Sequence, residues 1–565
     1  MINGGGGEPI SPKRSTIEAS RNRLVAVAAM FVLVFVSLGV RLVDLTVFEP
    51  GAEPRRGAGI NGVSSERADI VDRNGTLLAT NLRTASVYAN PRRVIDAAAA
   101  ADTLATAIPD LDRSKVFAKL NSSRSFVWIK RGLGPSDQNA VHKLGIPGVA
   151  FQIEQRRVYP QGSLAAHLVG FTGVDNEGLS GIERSFDERL RVADRHRARR
   201  LSLSIDHRAQ YLVEQELAVA LTQFRAKGAA GIVTDVVTGE VLALASLPSF
   251  DLNEAGSARP EARFNRATLG TYEMGSTFKA FTVAMALDAG VASLQSRYDA
   301  TRPLRVARFT IRDFHAKKRW LSVREVFVHS SNIGAAKIAL DVGGERQQRY
   351  LRALGMLTPE PIELPEVGAP LVPRRWRDIT TMTVGYGHGV AVSPLQLAGG
   401  IGALVNGGVR VPLTLVKRDP DADIPGQRVV SPRVSTYMRK LLRRVVEEGT
   451  GSKADVPGYL VGGKTGSAEK SGKRGYRRKA LISSFVGVFP IDAPRYLVLV
   501  MLDEPVGTKQ TFGYATGGWT AAPTVGRVVA RVAPLFGVEP RAIAAPRSAA
   551  LPVGGLTERG ASVAH

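Results

Sequence analysis

Cysteine is absent from the 565 residues of this sequence, which excludes disulfide bridges and catalysis by a thiol. The absence also agrees with an oxidising compartment. The eight histidines show neither a His-Glu-x-x-His motif nor another metal-ligand spacing, so we expect no metal and no cofactor. We interpret His329 and His388 as structural residues of loops. No internal repeat is evident.

One uncharged apolar run, residues 24–40, is at the short end of what crosses a bilayer as a helix. We expect residues 24–48 to form a single transmembrane helix. Four basic residues precede it, and they predict that residues 1–23 are a cytoplasmic tail and that the bulk of the chain lies outside the cytoplasm. These residues are Lys13, Arg14, Arg21 and Arg23. A cleaved signal peptide is the alternative, but the run is long for one and no clear cleavage site follows.

Composition divides the rest of the chain. Residues 1–23 and 537–565 are predicted to be disordered tails, and residues 49–63 form a linker rich in Gly, Pro and Arg. Residues 64–209 mix short strand-like runs with polar turns, which predicts an elongated N-terminal pedestal domain. Within it, Asn74-Gly75 is a hairpin signal between two short apolar runs.

The larger predicted domain comprises residues 210–536 and belongs to the α+β class. Its predicted elements are hairpin strands at 232–236 and 241–247, helices from residue 276 onward, and late strands at 481–489 and 496–502. This order predicts an antiparallel sheet flanked by helices.

Three short motifs follow one another in this domain. They are Ser-x-x-Lys at 276–279, Ser-x-Asn at 330–332 and Lys-Thr-Gly-Ser at 464–467. Each is weak alone, since residues 467–470 also fit Ser-x-x-Lys and residues 20–22 also fit Ser-x-Asn. Only Ser276 opens an apolar stretch that suits a buried helix, and only the ordered set points to catalysis.

The spacing of the first motif has a chemical reason. Residues i and i+3 share one face of a helix, so Lys279 can reach the hydroxyl of Ser276. Lysine accepts a proton near neutral pH only if burial and a nearby cation lower its pKa, and Lys464 is the candidate cation. The unpaired backbone N–H of Ser276 can stabilise an oxyanion together with an N–H from the strand of Lys464. The sequence therefore predicts acyl transfer.

On these motifs the sequence resembles the penicilloyl serine transferases, and over about residues 24–530 it resembles the class B penicillin-binding proteins. Further similar segments are 67–75, 178–183, 228–233, 238–245, 385–389 and 393–396. Residues 517–523 resemble an element of the division-specific members. The sequence departs from the family at Met274, where proline is common, and at Ser467, where threonine is frequent. Neither change removes a catalytic atom.

The resemblance implies a β-lactamase-like transpeptidase fold and a monofunctional D,D-transpeptidase that β-lactams inhibit. Ser276 would attack the penultimate D-alanine carbonyl of a peptidoglycan stem, and Lys279 would accept the serine proton. Ser330 would pass a proton to the leaving amine, and Asn332 would bind the substrate amide.

The third motif carries further implied roles. Lys464, Thr465, Gly466 and Ser467 would hold the terminal carboxylate, and the N–H of Ser467 would join that of Ser276 in the oxyanion hole. The implied partners are the lipid-linked peptidoglycan precursor, nascent glycan stem peptides, an FtsW-like glycan polymerase and other divisome proteins. The implied location is the inner membrane at the septum, with the catalytic domain in the periplasm.

The net charge of +24 and the pI near 10.4 would suggest nucleic acid as the partner of a soluble chain. No nucleic-acid module is recognisable and the predicted topology places the charge outside the cytoplasm, so we expect no nucleic-acid partner. Anionic headgroups and the precursor diphosphate are better candidates. The arginine-rich segment 189–200 is most simply a solvated surface or linker.

Other functions stay open at this point. They are an elongation-specific transpeptidase, a D,D-carboxypeptidase, a β-lactamase, and a non-catalytic divisome scaffold or β-lactam sensor. The pedestal argues against the D,D-carboxypeptidase and the β-lactamase, and the retention of Ser276 and Lys279 argues against the non-catalytic scaffold or sensor. Residues 50–220 contain no Glu-Asp pair of the kind a glycosyltransferase domain needs.

Overall fold

The computed structural model describes residue 25 and residues 28–37, 67–191, 200–306, 309–472 and 475–541. The predicted N-terminal tail and linker, more than half of the predicted transmembrane helix, most of the predicted C-terminal tail and most of the arginine-rich segment lie outside these residues. Residues 28–37 are helical, with exposed apolar side chains. Among the helices in the described ranges, none is long and apolar enough to cross a membrane.

The N-terminal part, residues 67–202, contains a five-stranded sheet with the order β3-β2-β1-β5, in which β4 also pairs with β2. Its strands are β1 (Asp69–Val71), β2 (Leu77–Ala89), β3 (Val127–Leu133), β4 (Val149–Val158) and β5 (Arg200–Ser202). Its helices are α1 (Ala97–Ala107), α2 (Arg113–Leu120), α3 (Pro135–Leu144), α4 (Ala166–Val169), α5 (Gly181–Ser185) and α6 (Asp187–Arg191).

The hairpin predicted at Asn74-Gly75 is confirmed. Strands β1 and β2 pair antiparallel on either side of it, and Gly75 has a φ of 90°, which glycine adopts without steric cost. The Asp72 carboxylate accepts the backbone N–H groups of Asn74 and Thr76, each at 2.8 Å. It also accepts the ring N–H of His207 at 2.8 Å, which ties the turn to the start of the next domain.

The pedestal is more helical than the sequence pattern indicated. Helices α1 to α3 were not predicted, and they bury Leu104, Val116 and Val141 against strands β2 and β3. Helix α1 begins where the Asp96 side chain accepts the backbone N–H groups of the first turn. The run of alanines in α1 carries little apolar periodicity, so its pattern gave no helical signal.

Two segments of the pedestal that lie far apart in sequence meet at a buried ion triad. The Glu183 carboxylate accepts N–H groups from Arg67 and from Arg157, each at 2.6 Å, and all three side chains are essentially inaccessible. Gly178 has no room for a side chain, since a Cβ there would lie 2.0 Å from the Glu183 carbonyl oxygen. The segments 67–75 and 178–183 therefore form one structural unit.

The C-terminal domain contains a second five-stranded sheet. Its helices are α7 (His207–Gln223), α8 (Pro260–Arg263), α9 (Lys279–Asp288), α10 (Val323–Val328), α11 (Asn332–Val342), α12 (Gly344–Ala353), α13 (Asp378–Gly385), α14 (Pro394–Val405), α15 (Pro432–Glu447) and α16 (Ala521–Leu535). Its strands are β6 (Gly228–Asp235), β7 (Val241–Leu247), β8 (Arg297–Asp299), β9 (Leu304–Val306), β10 (Phe309–Ile311), β11 (Trp320–Ser322), β12 (Val409–Arg410), β13 (Gln427–Arg428), β14 (Gly462–Gly472), β15 (Gly475–Phe489) and β16 (Tyr496–Asp503).

The five-stranded sheet has the order β14-β15-β16-β6-β7 and is antiparallel throughout, as predicted. Side chains of β16 alternate between two cores: Leu497, Leu499 and Met501 face one, and Val498 and Val500 face the other. Helices α7 and α16 cover the second face, and α9, α14 and α15 lie over the first. The α+β architecture with helices on both faces of the sheet is thus confirmed.

Strand β14 is an edge strand of this sheet, so one side of its backbone has no neighbouring strand among the residues that the structure describes. The 3₁₀ turn Gly275–Phe278 lies against this edge and leads directly into α9. The sequence predicted one helix from Ser276, whereas the structure has a tight turn followed by the α-helix. The turn brings the first motif beside the third.

The ion triad provides a stability test. Replacing Glu183 with alanine removes the acid that the buried Arg157 pairs with and leaves Arg67 with Asp187 as its counter-charge, and we expect a loss of about 3–5 kcal/mol in the free energy of unfolding. Denaturant unfolding of the full chain measures it. Glu188→Ala removes the same side chain from an exposed neighbouring position and should cost less than about 0.5 kcal/mol. Equal effects of the two substitutions would contradict the proposed importance of the triad.

Candidate active site

Ser276 lies on the 3₁₀ turn that faces strand β14. Gly275 precedes it with a φ of 55°, and a Cβ at Gly275 would lie 2.5 Å from the carbonyl oxygen of Ser467. The backbones of the turn and the strand therefore approach as closely as glycine allows. Met274, which stands where proline is common, is buried with 1% exposure and its carbonyl accepts the Thr277 hydroxyl at 3.0 Å.

Lys279 is fully buried and its Nζ is surrounded by oxygen atoms. The nitrogen is 2.8 Å from Ser276 Oγ, 2.7 Å from the Ser330 carbonyl oxygen, 2.7 Å from Asn332 Oδ1 and 3.1 Å from Ser330 Oγ. A carbonyl and an amide oxygen can only accept, so two N–H groups of Lys279 point at Ser330 and Asn332. The remaining direction points at the hydroxyl of Ser276.

The electrostatics of the site favour a neutral Lys279. Burial lowers its pKa well below the usual value, the charge of Lys464 lowers it further, and the carboxylate of Asp313 opposes both effects. A neutral amine has one lone pair and two N–H groups, which matches the oxygens around it. Lys464 is also fully buried, and burial lowers its pKa to about 7.

The second motif forms a strained loop. Ser330 has a φ of 61°, a left-handed conformation that is uncommon for a residue with a side chain. This conformation presents both the carbonyl oxygen and the hydroxyl of Ser330 to Lys279. Ser330 Oγ lies between the two lysines, 3.1 Å from Lys279 Nζ and 3.2 Å from Lys464 Nζ.

A carboxylate that the sequence analysis missed holds this loop. Asp313 accepts the hydroxyl of Ser331 at 2.7 Å and the backbone N–H groups of Asn332 and Ile333 at 2.6 and 3.0 Å. It thereby caps helix α11 and fixes the second motif relative to Lys279. No motif spacing marks Asp313. The only signal is that it is the single acid in the basic segment 312–319.

The third motif lies on the edge strand, with Lys464 facing Ser330. The Thr465 hydroxyl is 2.7 Å from the hydroxyl of Thr450, and Ser467 Oγ accepts the backbone N–H of Gly517 at 2.9 Å. Accepting that bond leaves the O–H of Ser467 free to donate. Gly466 is tightly enclosed, since a Cβ there would lie 2.5 Å from the Met274 carbonyl oxygen.

The predicted site residues thus come together as one cluster. Ser276, Lys279, Ser330, Asn332 and Lys464 are joined by direct contacts between side chains, and Thr465, Gly466 and Ser467 continue along the same strand. The three motifs are separated by more than fifty and more than one hundred residues, yet they meet at one edge of the sheet.

His388 lies beside this cluster. Its ring contacts those of Tyr386 and Tyr476, and its Nδ1 is 3.9 Å from a carboxylate oxygen of Glu273. Burial lowers its pKa to about 4, with a further contribution from the charge of Lys279. Burial also raises the pKa of Glu273, whose carboxylate accepts the backbone N–H of Gly389 at 2.8 Å. A neutral histidine in this loop is consistent with packing.

One group of side chains has the chemistry of a cation site. Asp72, Asp206 and His207 offer ligand atoms that lie within 4.8 Å of one another. Their oxygens already accept N–H groups, including two from the Arg208 guanidinium to Asp206 at 3.0 and 2.7 Å. Because these donors occupy the carboxylates, the group gives no support for a metal ion.

An antiparallel sheet between helical layers, with a Ser-Lys pair at its edge, is the arrangement of a serine acyltransferase. Residues 229–529 match the family of the penicillin binding protein transpeptidase domain, and residues 63–202 match the penicillin-binding protein dimerisation domain.

Relatives of known description agree. The chain is 44% identical over 530 residues to the probable peptidoglycan D,D-transpeptidase FtsI of Caulobacter vibrioides. The aligned region covers 92% of this chain and 89% of that protein. It is 32% identical to the peptidoglycan D,D-transpeptidase FtsI of Escherichia coli K12, with 86% of each chain covered. The crystal structure of penicillin-binding protein 3 from Mycobacterium tuberculosis with aztreonam is similar at a TM-score of 0.66 and 26% identity, over 85% of this chain and 98% of that one.

The chain therefore belongs to the class B penicillin-binding proteins, which combine a transpeptidase domain with a dimerisation domain. The family predicted from the three motifs is confirmed.

The charge environment of Lys279 provides a pH test. If neutral Lys279 is the base, the rate of Ser276 acylation by penicillin rises with pH and levels off well below pH 10.5. Asp313→Asn removes a negative charge that favours the protonated lysine, so the pKa of Lys279 falls and the rising limb moves to lower pH. The amide can retain the bonds to Ser331, Asn332 and Ile333.

Stopped-flow measurement of the acylation rate between pH 5 and 10 determines where the rising limb lies in each variant. Asp110→Asn removes an equal charge from the exposed surface of the pedestal and serves as the matched control. A shift of the limb to higher pH in Asp313→Asn, or an equal shift in the control, would refute this account of Lys279.

Proposed function

We propose that this protein is the peptidoglycan D,D-transpeptidase that cross-links stem peptides of the septal cell wall through an acyl-enzyme on Ser276. The observation that carries this function is the 2.8 Å contact between Lys279 Nζ and Ser276 Oγ, with both N–H groups of the neutral amine directed at Ser330 and Asn332. The C. vibrioides and E. coli relatives are named as such transpeptidases.

Acylation begins with Lys279. Its lone pair takes the hydroxyl proton of Ser276 while Oγ forms a bond to the penultimate D-alanine carbonyl carbon. The negative charge that develops on the carbonyl oxygen is stabilised by the backbone N–H groups of Ser276 and Ser467. The close approach of the 3₁₀ turn to β14 supports this pairing of donors.

Collapse of the tetrahedral intermediate breaks the C–N bond to the terminal D-alanine. The leaving nitrogen takes a proton from Ser330 Oγ, which is resupplied from Lys279, since Ser330 Oγ lies 3.1 Å from that nitrogen. An amino group of a second stem then attacks the acyl carbon. Its proton returns by the same route, and the Ser276 oxygen leaves with a proton from Lys279.

Substrate binding falls to the edge strand. Lys464, Thr465 and Ser467 hold the terminal carboxylate, with Gly466 providing the close approach of the backbone. An arriving carboxylate favours the charged form of Lys464, which offsets the effect of its burial. Asn332 binds the substrate amide, and Ser467 has a hydroxyl proton available because it accepts its other bond from Gly517.

The wider setting of the site belongs to the same proposal. Residues 24–48 anchor the chain in the inner membrane, residues 64–209 form the pedestal and residues 210–536 form the transpeptidase domain in the periplasm. The apolar run, its basic flank and the family matches at 63–202 and 229–529 support this order. The partners are the lipid-linked precursor, an FtsW-like glycan polymerase and other divisome proteins, and β-lactams are inhibitors.

Fluorescent penicillin tests the acyl-enzyme. We expect the full chain in detergent to be labelled stoichiometrically, peptide mapping to place the label on Ser276, and Ser276→Ala and Lys279→Ala each to lower the labelling rate at least about 10³-fold. Ser257→Ala, an exposed serine on another turn, should label like the wild type. Label on another serine, or rapid release of the label as in a β-lactamase, would exclude the proposal.

Localisation separates the division role from elongation. A fluorescently tagged full-length copy should concentrate at midcell before constriction, and a Ser276→Ala copy should concentrate there as well, since targeting does not use the acyl-enzyme. A distribution along the side wall would favour the elongation-specific alternative. Midcell localisation together with full complementation by Ser276→Ala would favour the non-catalytic scaffold.

A further inference from the structure

A basic and aromatic concavity lies on the small strands of the transpeptidase domain. It has a volume of about 530 Å³ and is lined by Arg297, Thr301, Lys318, Arg319 and Trp320. We call it the hairpin surface, because it is built on the antiparallel pair β8 and β11. Trp320 is 52% exposed, which is unusual for a large aromatic side chain that no partner covers.

The charges of the hairpin surface are not balanced. Within the described residues, Arg297 and Lys318 are exposed and take part in no ion pair. Arg319 is paired with Glu325 at 2.7 Å, and Asp299 accepts the hydroxyl and N–H of Thr301 and lies 3.9 Å from Lys337. An exposed indole between unpaired cations suits a ligand that has both carboxylates and flat apolar faces.

One chain segment joins the hairpin surface to the catalytic loop. The charges of Lys317 and Arg319 help to lower the pKa of His329, which directly precedes Ser330, after the larger effect of burial. The same segment begins at Arg312, whose carbonyl oxygen accepts the Asn332 side-chain N–H at 3.0 Å. The chain from 312 to 320 therefore connects the catalytic loop to the surface without interruption.

We propose that the hairpin surface binds an uncross-linked glycan strand, with its cations on the carboxylates of the acidic stem peptides and Trp320 against a sugar ring. This inference rests on the proposed transpeptidase function and extends it to the substrate beyond the reacting D-alanine residues. A strand held there presents its neighbouring stems next to Ser276, so the surface raises the local concentration of the peptide that must reach the acyl-enzyme.

Other anions fit this surface less well. A lipid headgroup or a nucleic acid offers phosphates, which often bind at a helix N-terminus, but the N-terminus of α10 beside Trp320 is already capped by Ser322 and Glu325. A second arginine-rich concavity, lined by Arg346, Arg349 and Arg428, has no tryptophan among its lining residues. It provides a matched control for charge alone.

The experiment measures strand binding apart from chemistry. The full chain is acylated with penicillin so that the cleft is blocked, and its affinity for uncross-linked glycan strands with pentapeptide stems is measured by microscale thermophoresis. Two variants test the surface: Arg297→Gln with Lys318→Gln, and Trp320→Ala. We expect each to bind the strands about tenfold more weakly, as for loss of a central interface contact, while the rate of acylation by penicillin stays unchanged.

The control variant carries Arg346→Gln and Arg349→Gln, the same change in net charge. We expect wild-type binding from it. Equal weakening in the control would reduce the effect to overall charge and overturn the proposal, and so would wild-type affinity of both surface variants. The transpeptidase function is tested by acylation of the wild type, and normal acylation in every variant keeps that function separate from the binding result.

The ligand chemistry is tested with two further probes. Glycan strands stripped of their stems should lose most of the affinity, because the carboxylates are gone, and strands with amidated stems should bind as weakly. Undiminished binding of stripped strands would overturn the assignment of the cations to the stem peptides. Stronger binding of anionic phospholipid vesicles than of strands would replace the glycan with a lipid surface.

Discussion

The burial of the Lys279 amine among neutral oxygens is the constraint on which the site depends. None of its hydrogen-bond partners is a carboxylate, so a charged ammonium there would lose its hydration without a counter-ion. Lys279 is therefore buried as the neutral amine, which requires a lowered pKa. The neutral amine is also the form that can act as a base. The left-handed backbone at Ser330 and the carboxylate of Asp313 hold the oxygen atoms of Ser330 and Asn332 against Lys279. Strain in one residue thus supports reactivity in another.

The sequence predicted the residues of the three motifs but not the residues and helices that hold them in place. Ser276 and Lys279 could be predicted because their spacing follows from helix geometry, and the hairpin at Asn74-Gly75 because its turn chemistry is local. Asp313 could not, since a carboxylate that caps a helix nineteen residues downstream belongs to no fixed pattern. Helix α1 was missed because an alanine-rich segment has high helix propensity but little amphipathic periodicity, and α2 and α3 were missed because they are short and mostly polar.

Contacts between segments that are far apart in the chain could not be predicted from the sequence either. Arg67 and Glu183 are separated by 116 positions, and no periodicity links them. The segments that contain them resembled family boxes without an evident purpose in acyl transfer. Their purpose is structural, since the ion triad holds the start of the pedestal sheet to its last helices, and Gly181 in the second segment donates its backbone N–H to Glu366 of the catalytic domain at 3.3 Å.

The strand order of the main sheet has a consequence for biosynthesis. The inner strand β6 pairs with the central strand β16, whose residues are made more than 250 positions later, and the edge strand with Lys464 joins the sheet only through β15. A growing chain therefore contains Ser276 and Lys279 long before the strand with Lys464 and the rest of the sheet, which lower the pKa of Lys279, have been made. Reactivity and the native topology are acquired together at the end of synthesis, so a partly made or truncated chain holds an ordinary serine beside an ordinary, charged lysine.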